Sequence, residues 1–268
     1  MKRSDMTNYV ENEGAKIAYT QMGSGPLVVL IPGANGESVR YTPLMMALKD
    51  DFTVVRLDRR AAGESTGDAG AALDLKQATR DVKAVIEAMD MGPAIVFGSS
   101  AGAVIALNVG EQHPEIVKQL LVHEPPVTEI LPEPQATEWR ELFIKVKYTF
   151  DTDGALPAMK LFMSETVGLG VAAQPGDQSE STHDRFLRHE FRVINSFKPD
   201  LGLLKSNAIP VVMQAGDLSG DACYAETARY IAKSMPCELA VVPGHHIGYV
   251  SQPAEFADAF RKITADVL

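Results

Sequence analysis

Short apolar runs alternate along the chain with longer stretches in which apolar residues recur every three or four positions. The first pattern fits strands covered on both faces, the second helices with one buried side. Leu27-Val28-Val29-Leu30-Ile31, closed by Pro32-Gly33, is the plainest of the runs; residues 52–57, 94–97, 116–122, 209–214 and 239–242 supply the others. Ala78, Val82, Val85, Ile86 and Met89 mark one face of a helix, further helices are expected over residues 101–112 and 222–233, and residues 253–268 read as a closing helix. Residues 7–13 and 14–22 alternate loosely and pair as an N-terminal hairpin. Strand followed by helix, repeated, implies an α/β fold with a doubly wound, mostly parallel sheet.

The rhythm breaks between Pro125 and Asn207, where no strand-like run occurs. Three amphipathic stretches, roughly 136–150, 156–167 and 181–197, are separated by Asp151-Thr152-Asp153-Gly154 and by the Gly-rich residues 168–177. Residues 1–125 and 208–268 are therefore expected to form the sheet-bearing core domain, and residues 126–207 an inserted helical cap. Such an insertion would lie over the C-terminal ends of the strands, where open α/β sheets place their ligands. Most of its aromatic and Met residues form the cap's own core on this reading. Some must face the sheet, and Trp139, Phe143, Met159 and Phe162 are the candidates for walling an apolar pocket.

Candidate chemistry enters at Gly98-Ser99-Ser100-Ala101-Gly102, a G-x-S-x-G sequence closing one apolar run and opening a helix. In that context the middle residue sits at the apex of a tight, strained turn, with small neighbours letting the chain fold back. Ser100 is the expected nucleophile and Ser99 a packed flank. The Ala101 amide, at the helix N-terminus, would face a developing oxyanion. A serine needs a base. Gly244-His245-His246-Ile247-Gly248 follows the last apolar run, on the edge of the sheet that carries Ser100. His246, at the centre of Gly-x-His-x-Gly, is preferred over His245; His113, His123, His183 and His189 have ordinary core or surface readings.

The balance of 25 Lys and Arg against 35 Asp and Glu gives a formal charge of −10, with no basic cluster to suit nucleic acid or an anionic membrane. No apolar run approaches the roughly 18 residues of a membrane span, and no apolar stretch follows the charged Met1-Lys2-Arg3 as in a secretion signal. Two cysteines, Cys223 and Cys237, are too few for a disulfide framework. A cytoplasmic protein is expected, a monomer or homodimer whose partner is a small-molecule substrate.

From about residue 7 to 268 the chain resembles the α/β-hydrolase fold family, in the order of nucleophile and histidine and in the slot of its helical insertion. That family usually carries its acid three residues beyond the glycine of Val211-Val212-Met213-Gln214-Ala215-Gly216, where this chain has Ser219. A subset carries it after the strand that follows the nucleophile helix, here Glu124 in His123-Glu124-Pro125-Pro126; zearalenone lactonases are similar in this respect. Glu124 is preferred, with Asp217 and Asp221 as alternatives. The resemblance also implies a second oxyanion donor, the Ala34 amide in Pro32-Gly33-Ala34-Asn35-Gly36, and casts residues 58–65 as scaffold near the nucleophile. No metal or organic cofactor is implied. The expected activity is serine-dependent hydrolysis of a carboxylic ester or lactone. C–C bond hydrolysis or cofactor-free perhydrolysis by the same residues, or ligand binding without turnover, are the alternatives.

Overall fold

The computed structural model describes residues 7–166 and 180–267. Its eight strands are β1 (Asn8–Asn12), β2 (Ala15–Gly23), β3 (Leu27–Ile31), β4 (Thr53–Leu57), β5 (Ala94–Ser99), β6 (Val117–His123), β7 (Val211–Gly216) and β8 (Glu238–Val242). They form one sheet in the order β1-β2-β4-β3-β5-β6-β7-β8. The hairpin β1-β2 and the β2-β4 pair are antiparallel, and every pairing from β4 to β8 is parallel.

Alternate residues of the apolar strands serve opposite faces, as a period of two requires. Leu27, Val29 and Ile31 pack with Val96, Leu120, Val122 and helices α2 (Leu75–Ala88), α3 (Ala101–Gln112), α8 (Leu201–Ser206) and α9 (Cys223–Ser234). Val28 and Leu30 pack with Phe97, Leu121 and helices α1 (Thr42–Leu48) and α11 (Pro253–Thr264), preceded by the short α10 (Gly248–Ser251). Both faces are thus dry, and each fully buried Val or Leu contributes about 1.5–3 kcal/mol. Helix α1 has no counterpart among the periodic stretches: its two turns carry only Leu44, Met45 and Leu48 inward, too few for a repeat to register. Among the described residues no helix is long and apolar enough to cross a membrane.

Between β6 and β7 lie only helices among the described residues: α4 (Gln135–Asp153), α5 (Ala155–Thr166), α6 (Glu180–Arg185), a π-helical stretch (Phe186–Glu190), α7 (Phe191–Asn195), and α8. Asp151 to Asp153 continue α4 rather than break it, and the turn falls at Gly154 alone, at φ +94. The expected break at 168–177 lies outside the described residues. Val146, Phe150, Met159, Phe162, Phe186 and Phe191 form a third apolar cluster, which meets Cys223 and Tyr224 of α9.

The sheet order positions the site. From β3 the chain moves outward to β4, then returns across β3 to β5, so the C-terminal ends of β3 and β5 form a topological switch point, the place where open α/β sheets put their ligands. Two glycines let these ends meet. A Cβ on Gly98 would fall 2.2 Å from the Gly102 carbonyl oxygen, and one on Gly102 would fall 2.1 Å from that of Ile31. Gly102→Ala is expected to destabilise the protein by at least 2 to 3 kcal/mol, because backbone must move. Gly92→Ala, where a Cβ has open space but φ is +80, should cost about 1 kcal/mol. Urea denaturation compares the two, and equal losses would remove the steric account of the elbow.

Candidate active site

Ser100 stands between β5 and α3 at φ +58, ψ −127, a left-handed conformation that only a constrained turn imposes on a residue with a side chain. Its amide donates to the His123 carbonyl at the end of β6 (3.1 Å), and its own carbonyl accepts from Ala103 and Val104 in the first turn of α3. The Gly33 loop after β3 lies alongside: a Cβ on Gly33 would sit 3.2 Å from Ser100 Cβ and 3.8 Å from its Oγ. The amides of Ala34 and Ala101 donate to no backbone carbonyl among the described residues.

The imidazole comes from the loop after β8. Gly244 takes φ +88 there, and Gly248 packs so closely that a Cβ would meet the Pro243 carbonyl at 2.0 Å. His246 is buried, its Nδ1 2.8 Å from Glu124 Oε2. His245 is half-buried, and its Nδ1 has no hydrogen-bond partner.

Glu124, wholly buried just past β6 at φ +46, accepts the Gly216 amide on Oε1 (2.9 Å) and faces His246 with Oε2. Burial raises its pKa, but the hydrogen bond with His246, the neighbouring imidazoles and Ser219 outweigh this and hold the carboxyl well below the usual range. Being ionised, the carboxylate is acceptor only, so Nδ1 of His246 carries the proton between them. Asp217 is exposed and braces the loop through Gly244 N (2.7 Å), and Asp221 is exposed as well. Ser219 is buried beside the Glu124 carboxylate, its Oγ without a well-aligned hydrogen bond. The structure therefore brings Glu124 and His246 together and leaves both aspartates outside. No hydrogen bond joins Ser100 Oγ to His246 among the described residues, a link often long or misaligned before substrate binds.

Trp139, Phe143, Met159 and Phe162 share the third cluster with Phe191 and Tyr224, and Ala34 packs against it. The Phe162 ring lies 6.3 Å from Tyr224, whose own ring is 5.5 Å from that of His246. Aromatic packing thus runs from the helical segment to the imidazole.

Sequence patterning misses two residues. His123, read as an ordinary strand end, is fully buried with Nδ1 3.0 Å from Ser99 Oγ and its ring stacked on His246, centroids 6.0 Å apart. Arg59, read as scaffold, reaches the Gly33 carbonyl at 2.9 Å. No local pattern could have marked either, since each works through residues distant in sequence. His123, Glu124 and His246 also present ligand atoms within 4.8 Å of one another. Both Glu124 oxygens already serve Gly216 and His246, and His123 Nδ1 is turned to Ser99, so the trio is not an open ligand set.

Burial pushes the His123 imidazole down to about 4, with His246 adding to the shift and Glu124 opposing it. The unfolded chain, with a pKa of about 6.5 at this residue, binds more protons between the two values, so stability rises with pH across that window. Acidification from pH 7 to about 4.5 should therefore remove about 2 to 3 kcal/mol that a His123→Asn variant does not lose. Glu124 contributes in the same direction only below the ordinary carboxylate range, because its folded pKa is depressed. Denaturant midpoints measured across this range check the slope; parallel curves for both proteins would contradict it.

The profile of the family described as serine aminopeptidase, S33, matches residues 24–192, which include Ser100 and Glu124. Over 260 residues, 91% of either chain, the protein is 26% identical to an uncharacterized hydrolase, YraK, of Bacillus subtilis (strain 168). Among solved structures, an alpha/beta hydrolase from Sphaerobacter thermophilus DSM 20745 superposes with a TM-score of 0.74 at 23% identity, over 96% of this chain and 99% of that one. An N-acyl homoserine lactone degrading enzyme superposes with the same TM-score of 0.74 at 20% identity, over 95% and 99%. The parallel sheet, the turn at Ser100 and the profile match agree, and the chain belongs to the serine aminopeptidase, S33 family of α/β hydrolases.

Proposed function

We propose that the protein is a serine hydrolase that cleaves a carboxylic ester or lactone of a small, largely apolar substrate through an acyl-enzyme. The observation that carries this reading is the buried chain from Gly216 N through Glu124 to His246 Nδ1, with the strained Ser100 tied by its amide to the carbonyl of His123, the residue before Glu124. Ser100 Oγ attacks the carbonyl carbon while His246 Nε2 takes its proton. Glu124 holds the imidazole tautomer and stabilises the imidazolium. The tetrahedral oxyanion is received by the Ala34 and Ala101 amides, each contributing about 3 kcal/mol to the barrier reduction. His246 then protonates the departing oxygen and activates the water that releases the acid.

Residues 126–207 act on this reading as a cap, with Trp139, Phe143, Met159 and Phe162 walling the acyl pocket. Their shared aromatic cluster and its contact with Ala34 support that role. The lactone arm is supported by the likeness to the lactone-degrading structure. Profiling the protein against p-nitrophenyl esters of graded acyl length and a set of lactones tests the reading. Turnover of short and medium acyl esters or lactones, with no added metal or cofactor, is expected. Stoichiometric labelling of Ser100 by a fluorophosphonate, with no turnover of any of them, would instead mean a binding protein.

A further inference from the structure

The Gly33-Ala34 peptide, whose N–H is the proposed second oxyanion donor, is gripped from behind. In a trans peptide the C=O and N–H point in opposite directions, and among the described residues the sole cis bond is Glu133-Pro134. The Gly33 carbonyl accepts two donors, the Gly36 amide (3.2 Å) and Nη2 of Arg59 (2.9 Å). The Arg59 backbone amide also donates to the Gly36 carbonyl (2.8 Å), so one residue holds both ends of the turn. Arg59 is 5% exposed, and its charge is met by Glu190, 1% exposed, at 2.6 Å. Glu190 lies 131 positions away, at the end of the π-helical stretch between β6 and β7, and its other oxygen takes Arg185 Nη1 at 2.7 Å.

We infer that Arg59 is a positioning residue for the oxyanion site, held in register by Glu190. The inference rests on the serine hydrolase reading above. A guanidinium on the carbonyl oxygen fixes the plane of the Gly33-Ala34 peptide and draws electron density from its nitrogen. The Ala34 N–H on the opposite side becomes a better-aimed and more acidic donor to the oxyanion. Because Glu190 belongs to the segment that the reading treats as a cap, that segment and the oxyanion site share one buried ion pair. An unpaired charge at this depth would be unfavourable, so seating Glu190 against Arg59 also completes the turn.

The test compares p-nitrophenyl butyrate with its thiono analogue, in which sulfur replaces the carbonyl oxygen and accepts hydrogen bonds poorly. In Arg59→Met, kcat/KM for the ester should fall roughly tenfold with little change in KM, less than deletion of a donor outright, while the thionoester rate changes by less than about twofold. The oxygen-to-sulfur ratio therefore collapses. If Arg59→Met fails to fold, the double variant Arg59→Met/Glu190→Gln, which leaves no uncompensated buried charge between the two, carries the same expectation. Arg185→Gln, which touches Glu190 but not Gly33, should keep the ratio. An unchanged ratio in the Arg59 variants, whatever their rates, overturns the inference, as does an equal collapse in Arg185→Gln. Wild-type turnover in Ser100→Ala would instead remove the underlying reading, a result that the ratio cannot mimic.

Discussion

Ser100→Ala is expected to lower kcat for p-nitrophenyl esters by about 10⁵- to 10⁶-fold, the scale seen when the nucleophile is removed from a Ser-His-acid set. The fold should hardly notice. Ser100 Oγ makes no hydrogen bond among the described residues, and the positive φ of the turn is imposed by its surroundings rather than by the hydroxyl. Thermal unfolding should shift by no more than about 0.5 kcal/mol, as for a change that removes no packing or partner. Steady-state hydrolysis and a melting curve on the same sample check both halves. Wild-type-like turnover in the variant would end the serine mechanism.

Glu124→Gln is the second large effect, with kcat expected to fall about 10³- to 10⁴-fold. Gln keeps the shape and can still accept the Gly216 amide. Its NH₂ faces His246 Nδ1 as a donor, however, and stabilises the tautomer that cannot take the serine proton. The lost carboxylate also leaves the imidazolium without its counter-charge at a site from which water is excluded. Asp217→Asn should change kcat by less than about fivefold, since that carboxylate is exposed and only braces Gly244. Parallel kcat measurements decide between them. The reverse ranking would move the acid to the loop after β7.

The elbow was legible in the sequence because its chemistry is local. Gly98 and Gly102 flank Ser100 where a Cβ would strike backbone oxygen, so sterics alone write the pattern. The apolar strands were legible for a similar reason, since burial on both faces leaves no room for polar alternation; Leu27–Ile31 matches residue for residue. Helix α1 escaped because two turns carry too few apolar positions. Glu124 could be ranked first only through the family resemblance, because nothing local links a carboxylate at position 124 to an imidazole at position 246. The Arg59–Glu190 pair lay further out of reach. Arg59 stands in a stretch read as scaffold and Glu190 in an amphipathic one, with nothing local to pair them, and only the docking of the helical segment on the sheet buries them together. Local sterics and periodicity can be read along a chain, whereas pairings made by tertiary packing cannot.

Exposing the protein to a fluorophosphonate and mapping the adduct by peptide mass spectrometry tests the central claim most directly. A single adduct on the peptide carrying Ser100 is expected, with the labelling rate cut at least a hundredfold in Glu124→Gln, within the range expected for loss of the orienting acid. An adduct on another residue, or labelling that proceeds as fast without the Glu124 carboxylate, would contradict the account.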